Sequence, residues 1–293
     1  MDALSGCLLI NKKVGVTSRY EVNKVSKILN EKKCGHIGTL DPFASGLLIV
    51  LVGKATKISQ FLEVKDKTYI ASLKLGEQTD TGDKDGKIIK SMSVPTITKK
   101  DISNVLNSFL GESEQLPPMY SALKKDGKHY YDYAREGIEI ERTPRKINIY
   151  DIMLLDYQDN IITFVVHVSK GCYVRTLGED IASRLNCVGH LINLERTKIG
   201  SINVLDSISS DEVTIEKLIP IEEMLKDYES ILLDGKNAFK AINGVDLMLP
   251  SKNDLVLVKD KNGLIAMYQR KKLDVYSCLR GLRWKKLNFI AIT

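Results

Sequence analysis

Between Gly35 and Leu48 the chain reads Gly-His-Ile-Gly-Thr-Leu-Asp-Pro-Phe-Ala-Ser-Gly-Leu-Leu, three glycines and a proline around His36 and Asp41. An Asp before Pro has a constrained backbone and suits a tight turn, so Asp41 taken alone reads as the cap of a helix or turn. The loop runs straight into Leu47–Val52, six consecutive apolar residues that read as buried.

Other arrangements that could carry chemistry fail on spacing. Gly82-Asp-Lys-Asp-Gly86-Lys87 resembles a phosphate loop, but three residues separate its glycines where four are needed, and Ile88 replaces the required Ser or Thr. As a calcium loop it has Thr81 at the first ligand position and Met92 at the closing one. Cys187 and His190 stand three apart without a second pair at ligand spacing, and the chain has only four His. There is no Gly-x-Ser-x-Gly elbow. No metal and no cofactor are therefore expected.

The elements that must hold Asp41 are legible from periodicity. Ser18-Arg-Tyr-Glu21 fits a capping box, and Val22, Val25, Ile28 and Leu29 predict a helix from about residue 19 to 30. A second helix starts near Thr98–Asp101, with Ile102, Val105, Leu106, Phe109 and Leu110 on one face before Gly111. Alternation predicts strands at Tyr69–Leu75, Ile147–Leu154 and Ile161–Val168, and Tyr173–Leu185 returns to helical spacing. Helices and strands mix without a regular βα beat, which favours α+β over a doubly wound sheet. After an acidic helix at Ile221–Tyr228, Leu255–Lys259 and Leu264–Gln269 read as short strands joined through Asn262-Gly263, two residues that tolerate positive φ. The expected division is residues 1–228 and a small β-rich domain, residues 229–293.

Composition narrows the class. The 293 residues are 43% hydrophobic, enough to offset chain entropy. The longest apolar run is far short of the ~20 residues a membrane helix needs. The N-terminus lacks a basic segment before its apolar stretch, and five scattered Cys suit a reducing cytoplasm. A cytoplasmic protein with no membrane contact is expected. The net charge of +6 is unevenly placed. Residues 268–293 hold Arg270, Lys271, Lys272, Arg280, Arg283, Lys285 and Lys286 against Asp274, and the rest of the chain balances. Residues 1–57 are basic as well, so the pattern suits a polyanion touched at two places or simply two solvated faces.

Taken with its surroundings, Gly35–Leu48 resembles the signature of the TruB-type tRNA pseudouridine synthases. Further stretches are similar to that family: Leu8-Leu-Ile-Asn-Lys12 with Gly15-Val-Thr-Ser18; Lys67-Thr-Tyr69 with Leu75-Gly-Glu-Gln-Thr-Asp-Thr81; Gln115-Leu-Pro-Pro-Met-Tyr-Ser-Ala-Leu-Lys124 with Tyr130, Tyr131, Ala134, Arg135 and Gly137; Ser169-Lys-Gly-Cys-Tyr173-Val-Arg175-Thr-Leu; and His190-Leu-Ile-Asn-Leu194-Glu-Arg196-Thr. The resemblance departs at Lys13, where the family usually has Pro, and at Arg19, where it usually has His.

The resemblance implies an α+β catalytic domain on a mixed, largely antiparallel sheet, followed by a small PUA-like RNA-binding domain. It implies isomerisation of a tRNA T-loop uridine (position 55) to pseudouridine, on the T-stem-loop as partner, with no obligate protein partner. Asp41 is then the nucleophile, Arg175 the fixed cation that keeps it ionised beneath a base, and Tyr69 the ring stacked on that base. Tyr173 and Leu194 become pocket walls. His36 helps hold the reshaped RNA loop, and Lys12 contacts phosphate, as do Lys124, Lys125 and Lys128 unless these form a solvated face. The reaction gains no electrons or groups, so it requires no redox cofactor.

Overall fold

Side-chain alternation decides the centre of the molecule. In the computed structural model, which describes residues 4–283, Lys67–Leu75 alternates buried and half-buried residues along its whole length. Ile161–Val168 does the same, burying Ile162, Phe164, Val166 and Val168. A period of two places one set on the core face. Ser45–Val52 is instead buried almost throughout, as a strand covered on both faces must be.

In chain order the larger sheet comprises β1 (Gly6–Lys12), β2 (Cys34–Ile37), β3 (Ser45–Val52), β4 (Lys67–Leu75), β5 (Gly111–Gln115), β6 (Arg145–Gln158), β7 (Ile161–Val168), β8 (Gly189–Ile199) and β9 (Ile202–Asn203). Its lateral order is β1-β3-β8-β4-β7-β6-β5, with β2 beside β3 and β9 beside β8. The β4–β8, β4–β7, β6–β7 and β5–β6 ladders are antiparallel, while β3–β8 is parallel. The sheet is thus mixed and largely antiparallel, in an α+β arrangement.

Helices packed on it include α1 (Ser18–Ile28), α2 (Lys99–Asn107) and α3 (Val174–Arg184). The α2 start, expected near Thr98–Asp101, is a capping box of those two residues, but the helix ends at Asn107, and Leu110 is exposed beyond it. The α1 cap differs from expectation. Thr17, not Ser18, accepts from the Tyr20 amide. The Ser18 hydroxyl instead bonds both backbone groups of Leu40, donating to its carbonyl at 3.0 Å and accepting from its amide at 2.9 Å. The helix start is thereby tied to the residue before Asp41.

Backbone packing divides the chain into two compact units. One holds Leu8–Val50 with Ser59–Lys217; the other holds the described residues from Leu218 onward, the segment ending at Cys7 and Leu51–Ile58. In the second unit the expected helix at Ile221–Tyr228 shortens to Ile221–Met224, with Met224 and Leu225 buried. There follow β10 (Ser230–Leu232), α4 (Gly235–Ile242), β11 (Leu247–Met248), β12 (Leu255–Asp260), β13 (Gly263–Lys272) and β14 (Val275–Gly281), in lateral order β10-β12-β13-β14-β11. This curled sheet is consistent with a PUA-like domain. The β12–β13 hairpin turns at Lys261 and Asn262, and Gly263 opens β13 at φ +101°. Tyr268 and Tyr276 fill its core, their hydroxyls donating to the Val245 and Asn253 carbonyls.

The C-terminal charge excess is partly consumed inside this unit. Arg283 binds Asp260 through both outer nitrogens, one at 2.6 Å, and Lys271 meets Asp246 at 3.2 Å. Arg280 is exposed; Lys285 and Lys286 lie outside the described residues. Among the described residues no helix is long and apolar enough to cross a membrane.

Candidate active site

The loop between β2 and β3 is anchored from below. Leu40, Phe43 and Ala44 are buried, and the Ala44 amide donates to the Asp41 carbonyl at 3.1 Å, closing a tight turn. Gly46 at φ +99° lets this strand cross β8, since a Cβ there would stand 2.4 Å from the Arg196 carbonyl oxygen. Asp41 is left at the surface of the turn, its side chain 34% exposed.

Arg175 rises from the first turn of α3 to meet it. Nε lies 2.9 Å from Asp41 Oδ2, and the guanidinium is 5% exposed. Nη1 donates to the Thr81 carbonyl at 2.9 Å and faces Asp83 Oδ2 at 3.5 Å, while Nη2 donates to the Tyr120 carbonyl at 2.7 Å. A delocalised, permanently charged fork suits such a crowded set of acceptors. The backbone that presents Arg175 is itself clamped. Gln115, at the end of β5, accepts from the Tyr173 amide at 2.7 Å and donates to the Tyr173 carbonyl at 3.1 Å.

Asp83 belongs to the stretch that failed as a phosphate or calcium loop. Its Oδ1 accepts from Thr81 Oγ1 at 2.7 Å and the Asp85 amide at 3.1 Å. The Leu191 amide donates to the Gly82 carbonyl at 3.0 Å, docking the turn on β8. Burial raises the Asp83 carboxyl, opposed by Thr81 and Arg175.

The β4 and β8 strands supply further residues of the same cavity that Asp41 and Arg175 line. Tyr69 lies on the buried face of β4, directly across the ladder from Arg196. Burial raises its phenol and the Arg196 charge opposes the rise. Leu194 shares the Arg196 face of β8. Lys67, two residues before Tyr69, gives its ammonium to the Glu63 and Lys65 carbonyls, and burial lowers it to about 8.

The cavity has a volume of about 590 Å³ and is lined among others by His36, Asp41, Tyr69, Tyr173, Arg175 and Leu194. That is the size range of a small-ligand or nucleobase pocket. The Tyr173 phenol is raised by burial and faces Ser121. His36 Nδ1 is buried without a hydrogen-bond partner among the described residues. Burial, then Arg196 and Arg19, lower the His36 imidazole, so it is neutral near pH 7.

Lys12 departs from the expected phosphate contact. It is fully buried, donating to the Lys13 carbonyl at 2.9 Å and the Val16 carbonyl at 2.8 Å, and it does not line the cavity. An ammonium with no exposure offers a phosphate nothing; here it knits the turn ahead of α1. The basic cluster near residue 128 is also engaged locally, with Lys128 paired to Glu136 and lying 4.7 Å over the Tyr133 ring.

Asp83, Gln115, Lys67 and Arg196 were not assigned roles from the sequence. Lys67 and Arg196 carried a usable signal, since each continues the inward face of its strand two residues from Tyr69 or Leu194. Asp83 and Gln115 carried none: a turn Asp and a strand-end Gln are ordinary surface types.

Comparison with known proteins shows which family the chain belongs to. Residues 26–174 match the TruB family pseudouridylate synthase (N terminal domain). A Hydrogenovibrio crunogenus protein named tRNA pseudouridine synthase B is 45% identical over 257 residues, 87% of this chain and 85% of the relative. A Clostridium kluyveri protein of the same name is 43% identical over 83% of this chain and 86% of its own length. Among solved structures, a chain of an H/ACA RNP bound to a substrate RNA containing 2'-deoxyuridine superposes with a TM-score of 0.71 at 21% identity, covering 96% of this chain and 86% of its own. A chain of a Cbf5-Nop10-Gar1 complex gives 0.72 at 22% identity, over 95% and 85%. These two likenesses concern the fold.

Proposed function

We propose that this chain, which belongs to the TruB family of pseudouridylate synthases, isomerises the T-loop uridine at position 55 of tRNA to pseudouridine in the cytoplasm, with Asp41 as the reacting carboxylate. The observation that carries this reading is the 2.9 Å Asp41–Arg175 pair at a cavity that Tyr69 also lines. Relatives named tRNA pseudouridine synthase B support the substrate.

A uridine stacked inside the T-loop cannot reach that carboxylate, so the nucleotide is extruded into the cavity, with Tyr69 stacked on the base and Leu194 and Tyr173 closing its sides. The N1–C1′ bond breaks and its electron pair stays on the base. The base turns, C5 bonds to C1′, the C5 proton leaves, and N1 takes up a proton. Nothing is oxidised or reduced. Asp41 supplies the anionic group at the ribose, by addition to C1′ or by removal of the 2′ proton. Arg175 stabilises its ionised form as the base excludes water. His36, neutral, packs against the rearranged loop. Residues 1–228 carry this chemistry and residues 229–293 contribute a second RNA contact.

Label release from tRNA transcripts tritiated at uridine C5 tests the reading. Wild-type protein is expected to release label from a T-loop substrate, and Asp41→Asn to lose turnover by about 10³-fold or more while still binding the RNA. Wild-type protein that releases none would sink it.

A further inference from the structure

Gln115 is the one residue of β5 that the fold buries: Gly111–Glu114 are exposed, whereas Gln115 is 4% exposed. A buried amide costs free energy unless its donor and acceptor are met. Here both are spent on a single distant residue. Oε1 accepts from the Tyr173 amide at 2.7 Å, and Nε2 donates to the Tyr173 carbonyl at 3.1 Å. The side-chain amide pairs with Tyr173 as a residue of a neighbouring antiparallel strand would, and so fixes the peptide groups on both sides of it.

Tyr173 is where α3 begins. It is the N-cap residue, extended at φ −101°, and makes no side-chain cap bond. Its carbonyl also accepts from the Leu177 amide at 3.0 Å, the first helical bond. Its orientation therefore directs two residues that line the cavity, Tyr173 itself and Arg175 two positions on. The chain that carries Gln115 reaches Arg175 a second time. Leu116-Pro117-Pro118-Met119 leads from Gln115 to Tyr120, whose carbonyl accepts from Arg175 Nη2 at 2.7 Å. The two prolines fix φ along that span, and Arg142 Nη1 donates to the Pro117 carbonyl at 2.9 Å. The path closes on itself: from Gln115 through the prolines to Tyr120, across to Arg175, back through Val174 to Tyr173, and across to Gln115.

We propose that Gln115 is a positioning residue for the reaction: by gripping both backbone groups of Tyr173 it aims Arg175 Nε at the Asp41 carboxylate and holds Tyr173 at the cavity. The proposal rests on the reading of Asp41 and Arg175 given above. Arg175 Nε lies 2.9 Å from Asp41, and a misplacement of about 1 Å at a reacting group costs on the order of a hundredfold in rate. A Gln that only satisfied a helix start would affect stability and leave the rate alone.

Two variants of similar size test it. Each is read by single-turnover label release from C5-tritiated tRNA, by RNA affinity and by the Arg175 Nε–H signal in heteronuclear NMR spectra. Gln115→Met removes both bonds. It is expected to slow the first-order step by about tenfold or more, to leave affinity within about twofold, and to shift the Arg175 Nε–H signal and speed its exchange. A lowered Tm with rate and signal unchanged overturns the proposal, because Gln115 would then be structural only. Gln115→Glu keeps the acceptor and regains the donor when protonated, the form that burial favours. The titratable and charged groups around that position are Arg145 across the ladder, Cys172, and Glu114, Asp180 and Arg184 around the adjoining cavity, and all of them are the same in wild type. Relative to wild type at the same pH, the Glu variant's rate deficit is expected to shrink from about pH 8.5 to about pH 5.5, while that of Gln115→Met stays constant. A Glu deficit that does not shrink overturns the proposal, and this arm stands if Gln115→Met does not fold. Wild-type protein that releases no label overturns the functional reading instead, and the Arg175 signal still tests whether Gln115 positions the guanidinium.

Discussion

The wall around Arg175 and the wall around Arg196 bury the same functional group in opposite company. Arg175 meets two carboxylates, Asp41 and Asp83, together with two carbonyls. Arg196 meets two carbonyls and lies across the ladder from Tyr69, with Lys67 and Lys12 as further buried cations nearby. The first group is close to neutral or negative and contains Asp41, the proposed reacting carboxylate. The second has its charge met by carbonyl dipoles. In the proposed isomerisation, which separates charge between sugar and base, a site with both kinds of company could stabilise both ends, as neither a uniformly acidic nor a uniformly basic pocket would.

The strongest way to break this comparison is Arg175→Met. It leaves Asp41 and Asp83 without their shared cation, and turnover in the label-release assay is expected to fall by about 10³-fold with RNA affinity little changed. Retained turnover would mean that the acidic wall does not depend on its guanidinium.

Arg283 repeats the acid-paired arrangement in the C-terminal unit, far from any reacting group in sequence. Its bonds hold the Asp260 carboxyl down to about 2. A depressed carboxylate stabilises the fold above its ordinary value of 3.8, and that contribution is lost as pH falls through about 2. Arg283→Ala is therefore expected to lower Tm by about 2–6 °C at pH 7 and by less near pH 2, read by thermal denaturation. An equal loss at both pH values would show that the ion pair contributes nothing beyond packing.

The carbonyl-lined wall has its own pH signature. Burial lowers Lys67 and Lys12 from 10.5 to about 8. Between those values the unfolded chain binds more protons than the folded one, so stability rises with pH across that window. Lys67→Met is expected to remove about half of the rise in urea midpoint between pH 8 and pH 10, with Lys12 carrying the remainder. An undiminished rise would place the effect elsewhere.

The smallest effect concerns Arg280, exposed where Arg283 is paired. Arg280→Ala is expected to flatten the salt dependence of tRNA binding by roughly one phosphate contact, whereas Arg283→Ala leaves the slope unchanged. The reverse result would make Arg283 the RNA-facing residue.

Several features were legible before any coordinates because they are local. The β4 and β7 strands follow from two-residue alternation, and the α2 start from Thr98 and Asp101 three residues apart. The residues drawn from local motifs, His36, Asp41, Tyr69, Tyr173, Arg175 and Leu194, all line one cavity. The phosphate contact that the resemblance implies for Lys12 does not suit its position, because the turn ahead of α1 closes over the ammonium. The cap of α1 moved by one residue because Ser18 found a stronger use 22 positions away, on both backbone groups of Leu40. Such competition between a local cap and a distant partner leaves no mark on spacing.

By itself, then, the sequence determined which residue types occupy the loop at Asp41, which stretches alternate or repeat helically, and which family the motifs resemble. These are matters of chain-local geometry and composition. Only the tertiary structure decided that Asp83 shares the guanidinium of Arg175, that Gln115 clamps Tyr173 across 58 positions, and that Arg196 is held by the Leu47 and Gly38 carbonyls. A backbone carbonyl is present at every residue and so has no sequence signature. How the permanent charge of a buried arginine is compensated is set by which carbonyls and carboxylates the fold brings to it.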